Sequence, residues 1–143
     1  MRTTAGVLPL SFALAAGAAT VFGFAPFGLP ALPVITLALL VVLWQAVASA
    51  GAAAAIGFAF GLGLFGAGAS WVFIALNTFG GMPLPLAALA TGGFCAFLAL
   101  YPAAAGWAAA RWTMPGSWQR AVAAAAAWTL AEWARSVVFT GFP

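Results

Sequence analysis

The chain has 143 residues, of which 66% are hydrophobic and only 3% charged, with four Lys+Arg, one Asp+Glu and no His. Soluble domains carry about 25% charged residues, so a water-facing globular surface is excluded; disorder, which needs low hydrophobicity and high charge, is excluded too. The formal charge of +3 does not mark a nucleic-acid binder, because Arg2, Arg111, Arg120 and Arg135 are spread along the chain and form no basic patch.

Everything from Thr3 to Ala110 is uncharged. A helix needs roughly 20 apolar residues to cross the hydrocarbon core, so this stretch holds several crossings. The expected fold is all-α, a polytopic transmembrane helix bundle of about five spans with a cytoplasmic N-terminus. A transmembrane barrel requires polar and apolar residues to alternate, and the alanine run from Ala123 to Ala127 does not alternate.

The first predicted helix covers Ala5–Phe24, and Pro9 is expected to shorten it. Arg2 and the small-residue sequence Ala13-Leu14-Ala15 also suit a signal peptide. The multi-span reading is preferred because the apolar run continues past that point and more spans follow. Pro26, Gly28, Pro30 and Pro33 break the chain before a second helix, Ala31–Ser49. Ser49 and Gly51 mark a weaker gap.

The third helix is placed at Ala52–Leu76. At about 100° per residue, Gly57, Gly61 and Gly68 share one face, and Gly63, Gly66 and Ser70 share nearly the opposite one. Small residues let helices approach closely in lipid, so two small faces predict a helix held between two neighbours. A substrate groove along one small face is the alternative.

Asn77, Gly80, Gly81, Pro83 and Pro85 make the clearest loop. It is either a tight connection or a platform at the outer surface. The fourth helix spans Leu84–Trp112 and contains Cys95, the single thiol. Cys95 has no base or cation near it in sequence, so it reads as buried and inert. Thr113, Pro115, Gly116 and Ser117 form the last turn, and the fifth helix runs over Ala121–Val138.

Glu132 and Arg135 lie three apart on this fifth helix and so share a face. Ionisable residues at membrane depth are costly and usually face the protein interior. They form a structural ion pair, or Arg135 reaches the outer interface; alternatively they hold a lipid phosphate or brace a neighbouring catalytic domain. Trp71, Trp112 and Trp118 suit interface anchors, with Trp118 in the inside loop. Trp44, Trp107, Trp128 and Trp133 suit packing or lipid contact.

Lys and Arg are enriched in cytoplasmic loops. Arg2 places the N-terminus inside, and four crossings later Arg111 and Arg120 stand inside again. The loops near Ala25–Pro30 and Asn77–Pro85, and the C-terminus, then lie outside. No metal ligand set is present, with no His, one Cys and one acid, and no cofactor is expected. Without a Lys there is no phosphate loop either.

Several motifs occur in a telling order: Phe24-Ala25-Pro26-Phe27-Gly28; the glycine run from Gly57 to Gly68 with Ala69-Ser70-Trp71-Val72-Phe73; Asn77-Thr78-Phe79-Gly80-Gly81-Met82-Pro83-Leu84-Pro85; Ala99-Leu100-Tyr101-Pro102; and Glu132-Trp133-Ala134-Arg135 followed by Phe139-Thr140-Gly141-Phe142-Pro143. In this order and spacing they resemble bacterial apolipoprotein N-acyltransferase, from about Phe24 to the last residue.

The resemblance implies an inner-membrane, multi-pass acyltransferase. Its partners would be a phospholipid acyl donor, typically phosphatidylethanolamine, and a diacylglyceryl-modified apolipoprotein that receives the chain on its N-terminal amine. Family members have about eight membrane helices and a periplasmic nitrilase-like domain with a Glu-Lys-Cys triad. A thioester on such a Cys splits one acyl transfer into two easier steps.

This chain has no Lys, and its one Cys and one Glu fall inside predicted spans, so it holds no catalytic residue of that kind. It therefore reads as residues 1–143 of an N-terminal transmembrane domain, a fragment or a truncated gene product, without the catalytic domain and inactive alone. The candidate substrate-binding residues are Arg135, Glu132, Asn77 and Thr78. Phe73 stands where relatives often have Tyr, Asn77 where they often have His, and Ser136 where Gly is common after the Arg. The residues alone also admit a small transporter or channel subunit lined by Glu132 and Arg135, or a structural helical bundle.

Overall fold

The computed structural model describes residues 6–138. Arg2, the start of the first predicted helix at Ala5, and the motif Phe139–Pro143 lie outside the described residues. Among the described residues the chain is all-helical, with six α-helices and no strand: α1 Val7–Thr20, α2 Ala31–Ala46, α3 Ala50–Gly68, α4 Trp71–Ile74, α5 Leu84–Arg111 and α6 Trp118–Val137.

Proline and glycine punctuation sets most of these boundaries. Pro9 sits in the first turn of α1, where a missing N–H costs nothing. After α1 a 3-10 turn, Val21–Gly23, leads into the Phe24–Gly28 motif. There Phe27 and Gly28 both donate their N–H to Phe24 O, and Gly28 takes a φ of 65°. Only glycine adopts that left-handed conformation without penalty. Ser49 caps α3 by accepting from Ala52 N, and Ser117 caps α6 by accepting from Arg120 N.

The third predicted helix, Ala52–Leu76, is not continuous. α3 ends at Gly68, the chain breaks at Ala69-Ser70, and a short α4 runs into a π turn, Ala75–Phe79. Each glycine costs a helix about 1 kcal/mol relative to alanine, and Gly66 and Gly68 weaken the last turn of α3. Trp118 also moves: it opens α6 instead of lying in the preceding loop, and its ring is exposed.

The expected sandwich of α3 between two neighbours is present. On one side Gly57 meets Pro102 and Gly61 meets Ala99, both on α5. On the other, Gly63 lies against Leu14 and Ala18 of α1, and Gly17 of α1 lies against Phe60 and Leu64 of α3. The sequence pairing departs from the angular reading at the helix end, where Gly68 faces Val21 and Gly66 meets no atom within 4 Å.

Contacts fix helix direction. Ala53 nears Gly106 and Phe65 O receives Cys95 Sγ, so α3 and α5 are antiparallel. Gly17 meets Phe60 and Val21 meets Gly68, so α1 and α3 are parallel. Phe60 meets Trp128 edge-on at 6.0 Å, and Phe65 lies under Arg135, so α6 runs with α3. α1 joins α2 through the Thr20–Thr36 hydroxyl pair, 2.7 Å apart. Trp44, fully buried, donates Nε1 to Ala53 O at 2.9 Å and locks α2 to the start of α3.

Arg120 departs most from the sequence reading. It stands in the first turn of α6 rather than in the turn before it, and only 1% of it is exposed. Its Nε donates to Thr113 Oγ1 at 3.1 Å. NH1 donates to Trp44 O and Val47 O at 3.1 and 2.6 Å, and NH2 to Ala110 O and Thr113 O at 3.4 and 2.6 Å. These carbonyls are the orphan acceptors at the C-terminal ends of α2 and α5, where a cation is favoured. Gln45 closes the same corner, donating to Ser117 O and accepting from Gly116 N.

Two helices, α3 with 19 residues and α5 with 28, are long and apolar enough to cross a membrane. α1 and α2 are apolar but shorter, at 14 and 16 residues.

Candidate functional site

The end of the bundle opposite Arg120 carries an ion pair. Glu132 and Arg135 lie on the last turns of α6, and Arg135 NH2 bonds Glu132 Oε2. The arginine side chain is 12% exposed and the carboxylate side chain 39%. The guanidinium carbon stands 5.3 Å from the ring centroid of Phe65 on α3, in cation–π contact. The ion-pair reading of these two residues is therefore realised, and it sits on a specific aromatic floor.

A cavity of about 520 Å³ opens beside the pair. Val21 and the Phe24-Ala25 turn form one wall, and Leu64, Phe65, Gly68 and Ala69 at the end of α3 form another. Glu132 and Arg135 supply its charged groups. Two motifs far apart in sequence, Phe24–Gly28 and Glu132–Arg135, thus meet across the end of α3. Gly68 lines the space without a side chain, and a Cβ there would stand 3.5 Å from Val21 Cγ2. A guanidinium over a cavity with apolar walls suits a ligand with an anionic group and a hydrocarbon body.

Asn77 and Thr78 do not join this site. Asn77 Nδ2 donates to Met82 O at 2.8 Å, so it ties the π turn to the loop after it. Gly80 N and Met82 N close the same loop onto Ala75 O and Leu76 O, and Gly81 takes a φ of 65°. Thr78 is exposed. Neither is among the described residues that line the cavity. The tight-connection reading of this loop is the one its hydrogen bonds realise.

Cys95 is buried against Phe65 O, with its Sγ 3.4 Å away. It packs with Phe65, Ala69 and Leu98. The residues that sequence reasoning missed are Phe65 and Arg120. Phe65 read as one of many aromatics in a glycine-rich helix. Arg120 carried a usable signal: a cation in the first turn of a helix opposes the macrodipole, so its presence there implies carbonyl partners from elsewhere.

A family model described as the apolipoprotein N-acyltransferase N-terminal domain matches residues 16–143. The chain belongs to this family. It is 51% identical to an apolipoprotein N-acyltransferase of Nitrosomonas europaea over 138 residues, 96% of this chain and 28% of that protein. With the enzyme of that name from Shewanella oneidensis it shares 38% identity over 99% of the chain and 27% of the relative. With that of Methylococcus capsulatus it shares 42% over 92% of the chain and 26% of the relative. The chain thus spans about a quarter of the length of these relatives. Every described residue lining the cavity, from Val21 to Arg135, falls inside the range matched to the apolipoprotein N-acyltransferase domain.

Proposed function

We propose that this chain is the N-terminal membrane part of an enzyme that moves an acyl chain from a phospholipid to the N-terminal amine of a diacylglyceryl-modified apolipoprotein. The match over residues 16–143 carries the reading. The chain has no Lys, and its one Cys is buried with its Sγ against Phe65 O, so the chemical step is assigned to the larger remainder of the enzyme. Residues 1–143 alone form no acyl thioester. An acyl adduct on Cys95 after incubation in phospholipid vesicles would overturn this.

Within this part, Arg135 holds the phosphate of the donor. A guanidinium offers paired donors to a phosphodiester and stays charged in an apolar setting. Glu132 keeps the cation neutralised and oriented, and Val21, Phe24, Leu64 and Phe65 receive hydrocarbon. A charge-assisted hydrogen bond is worth about 1.5–3 kcal/mol net. Arg135→Ala in the full-length enzyme should then raise the donor KM by about ten- to a hundredfold, with a smaller change in kcat. Unchanged kinetics with normal membrane levels would remove this role.

The helices α1, α2, α3, α5 and α6 are proposed as five spans of the bacterial inner membrane. Their alternating directions support this, as does an outward surface of bare hydrocarbon: Leu89 is 73% exposed and Val34 68%. Such a surface needs lipid or protein against it. The N-terminus is placed in the cytoplasm, so the Arg120 end faces inward and the cavity faces outward. Single cysteines in a Cys95→Ala background test the frame. In right-side-out spheroplasts an impermeant maleimide should label Phe27→Cys and Phe79→Cys but not Met114→Cys. Labelling at position 114 alone would invert the topology.

A further inference from the structure

The rotation of α6 about its own axis is poorly specified by shape. Ala121, Ala123, Ala124, Ala125, Ala126 and Ala127 surround its first half, so a turn of about 100° replaces one alanine by another. In lipid there is no hydrophobic drive to choose between such rotations. Directional contacts must choose. Trp128 against Phe60 is one, and the Arg120 guanidinium, bonded to two helix ends on three nitrogens, is the most restrictive.

Arg120 and Arg135 are 15 residues apart. At about 100° and 1.5 Å per residue they point within about 60° of each other across about 22 Å. We propose that Arg120 is a positioning residue: by tying the first turn of α6 to the ends of α2 and α5, it sets the rotation at which Arg135 and Glu132 face the cavity. This rests on the reading of that cavity as the phospholipid site. It adds that the site is aimed from the opposite membrane face.

The test uses the full-length enzyme in proteoliposomes, normalised to folded protein. Arg120→Met should raise the donor KM several-fold, and Arg120→Met with Arg135→Ala should be no worse than Arg135→Ala alone. A purely structural residue would lower the folded yield and leave KM unchanged. A KM unchanged in Arg120→Met where Arg135→Ala raises it, or effects that multiply, would overturn the proposal. A spin-label pair at Leu89 on α5 and Trp133 on α6, both exposed, reads rotation without activity. Its distance distribution should shift or broaden in Arg120→Met and stay as in the parent in Arg135→Ala; no change in Arg120→Met overturns the proposal. If Arg135→Ala leaves KM unaltered while the distances still shift in Arg120→Met, the phospholipid reading fails and the positioning stands. Arg120→Lys, which keeps the charge with fewer donors, is scored the same way should the methionine variant not accumulate.

Discussion

Gly63→Ala should destabilise the full-length enzyme, and Gly66→Ala, the same change three residues along the same helix, should leave it as stable or more so. A Cβ on Gly63 would stand 2.0 Å from Leu14 O and 2.8 Å from Ala18 N. Both are backbone atoms of α1, so relief requires the two helices to part. Overpacking costs about 1–3 kcal/mol and sometimes more where neighbours cannot yield. Helices in lipid associate through close packing, so parting them forfeits the main term that holds them. At Gly66 no atom lies within 4 Å of the added methyl. There the change keeps only the gain in helix propensity, about 1 kcal/mol. Thermal unfolding of the two variants in one detergent checks the sign of the difference. Equal melting temperatures would contradict the α1–α3 contact.

Arg120→Met should be the most destabilising single change at its end of the bundle. The methionine fills part of the space but donates nothing. Five hydrogen bonds are lost, and the carbonyls of Trp44, Val47, Ala110 and Thr113 lose their shared partner. Removing one side of a buried charged network costs about 3–5 kcal/mol. Arg120→Lys should recover only a fraction, because an ammonium is a compact charge and cannot span two helix ends as a planar fork does. Chemical unfolding followed by tryptophan emission, with Trp44 at the centre of the affected corner, measures both. A methionine variant as stable as the parent would show that the carbonyls find other donors.

Much of this fold was legible because proline and glycine act locally. The turn at Pro26–Pro33 and the loop at Asn77–Pro85 follow from φ limits and missing donors. The two-sided packing of α3 followed from periodicity alone, since only small residues permit backbone contact. Its end at Gly68 did not, because the apolar run continues through Leu76 and hides the weakening of the last turn by Gly66 and Gly68. The ion pair at Glu132–Arg135 was readable from spacing, but Phe65 beneath it and Phe24-Ala25 across from it come from tertiary packing. The partners of Arg120 were not readable, because a topology rule counts charges by segment and is blind to the carbonyls of two other helices.

The cavity beside Arg135 is proposed to receive a phospholipid. A photoreactive residue at Leu64, which lines the cavity, tests this in the full-length enzyme reconstituted in phosphatidylethanolamine vesicles, with Leu89 on the outer surface as reference. A phospholipid adduct is expected at both positions, with the adduct at position 64 falling sharply on Arg135→Ala and that at position 89 unchanged. An adduct at position 64 that is absent, or indifferent to Arg135, would contradict it.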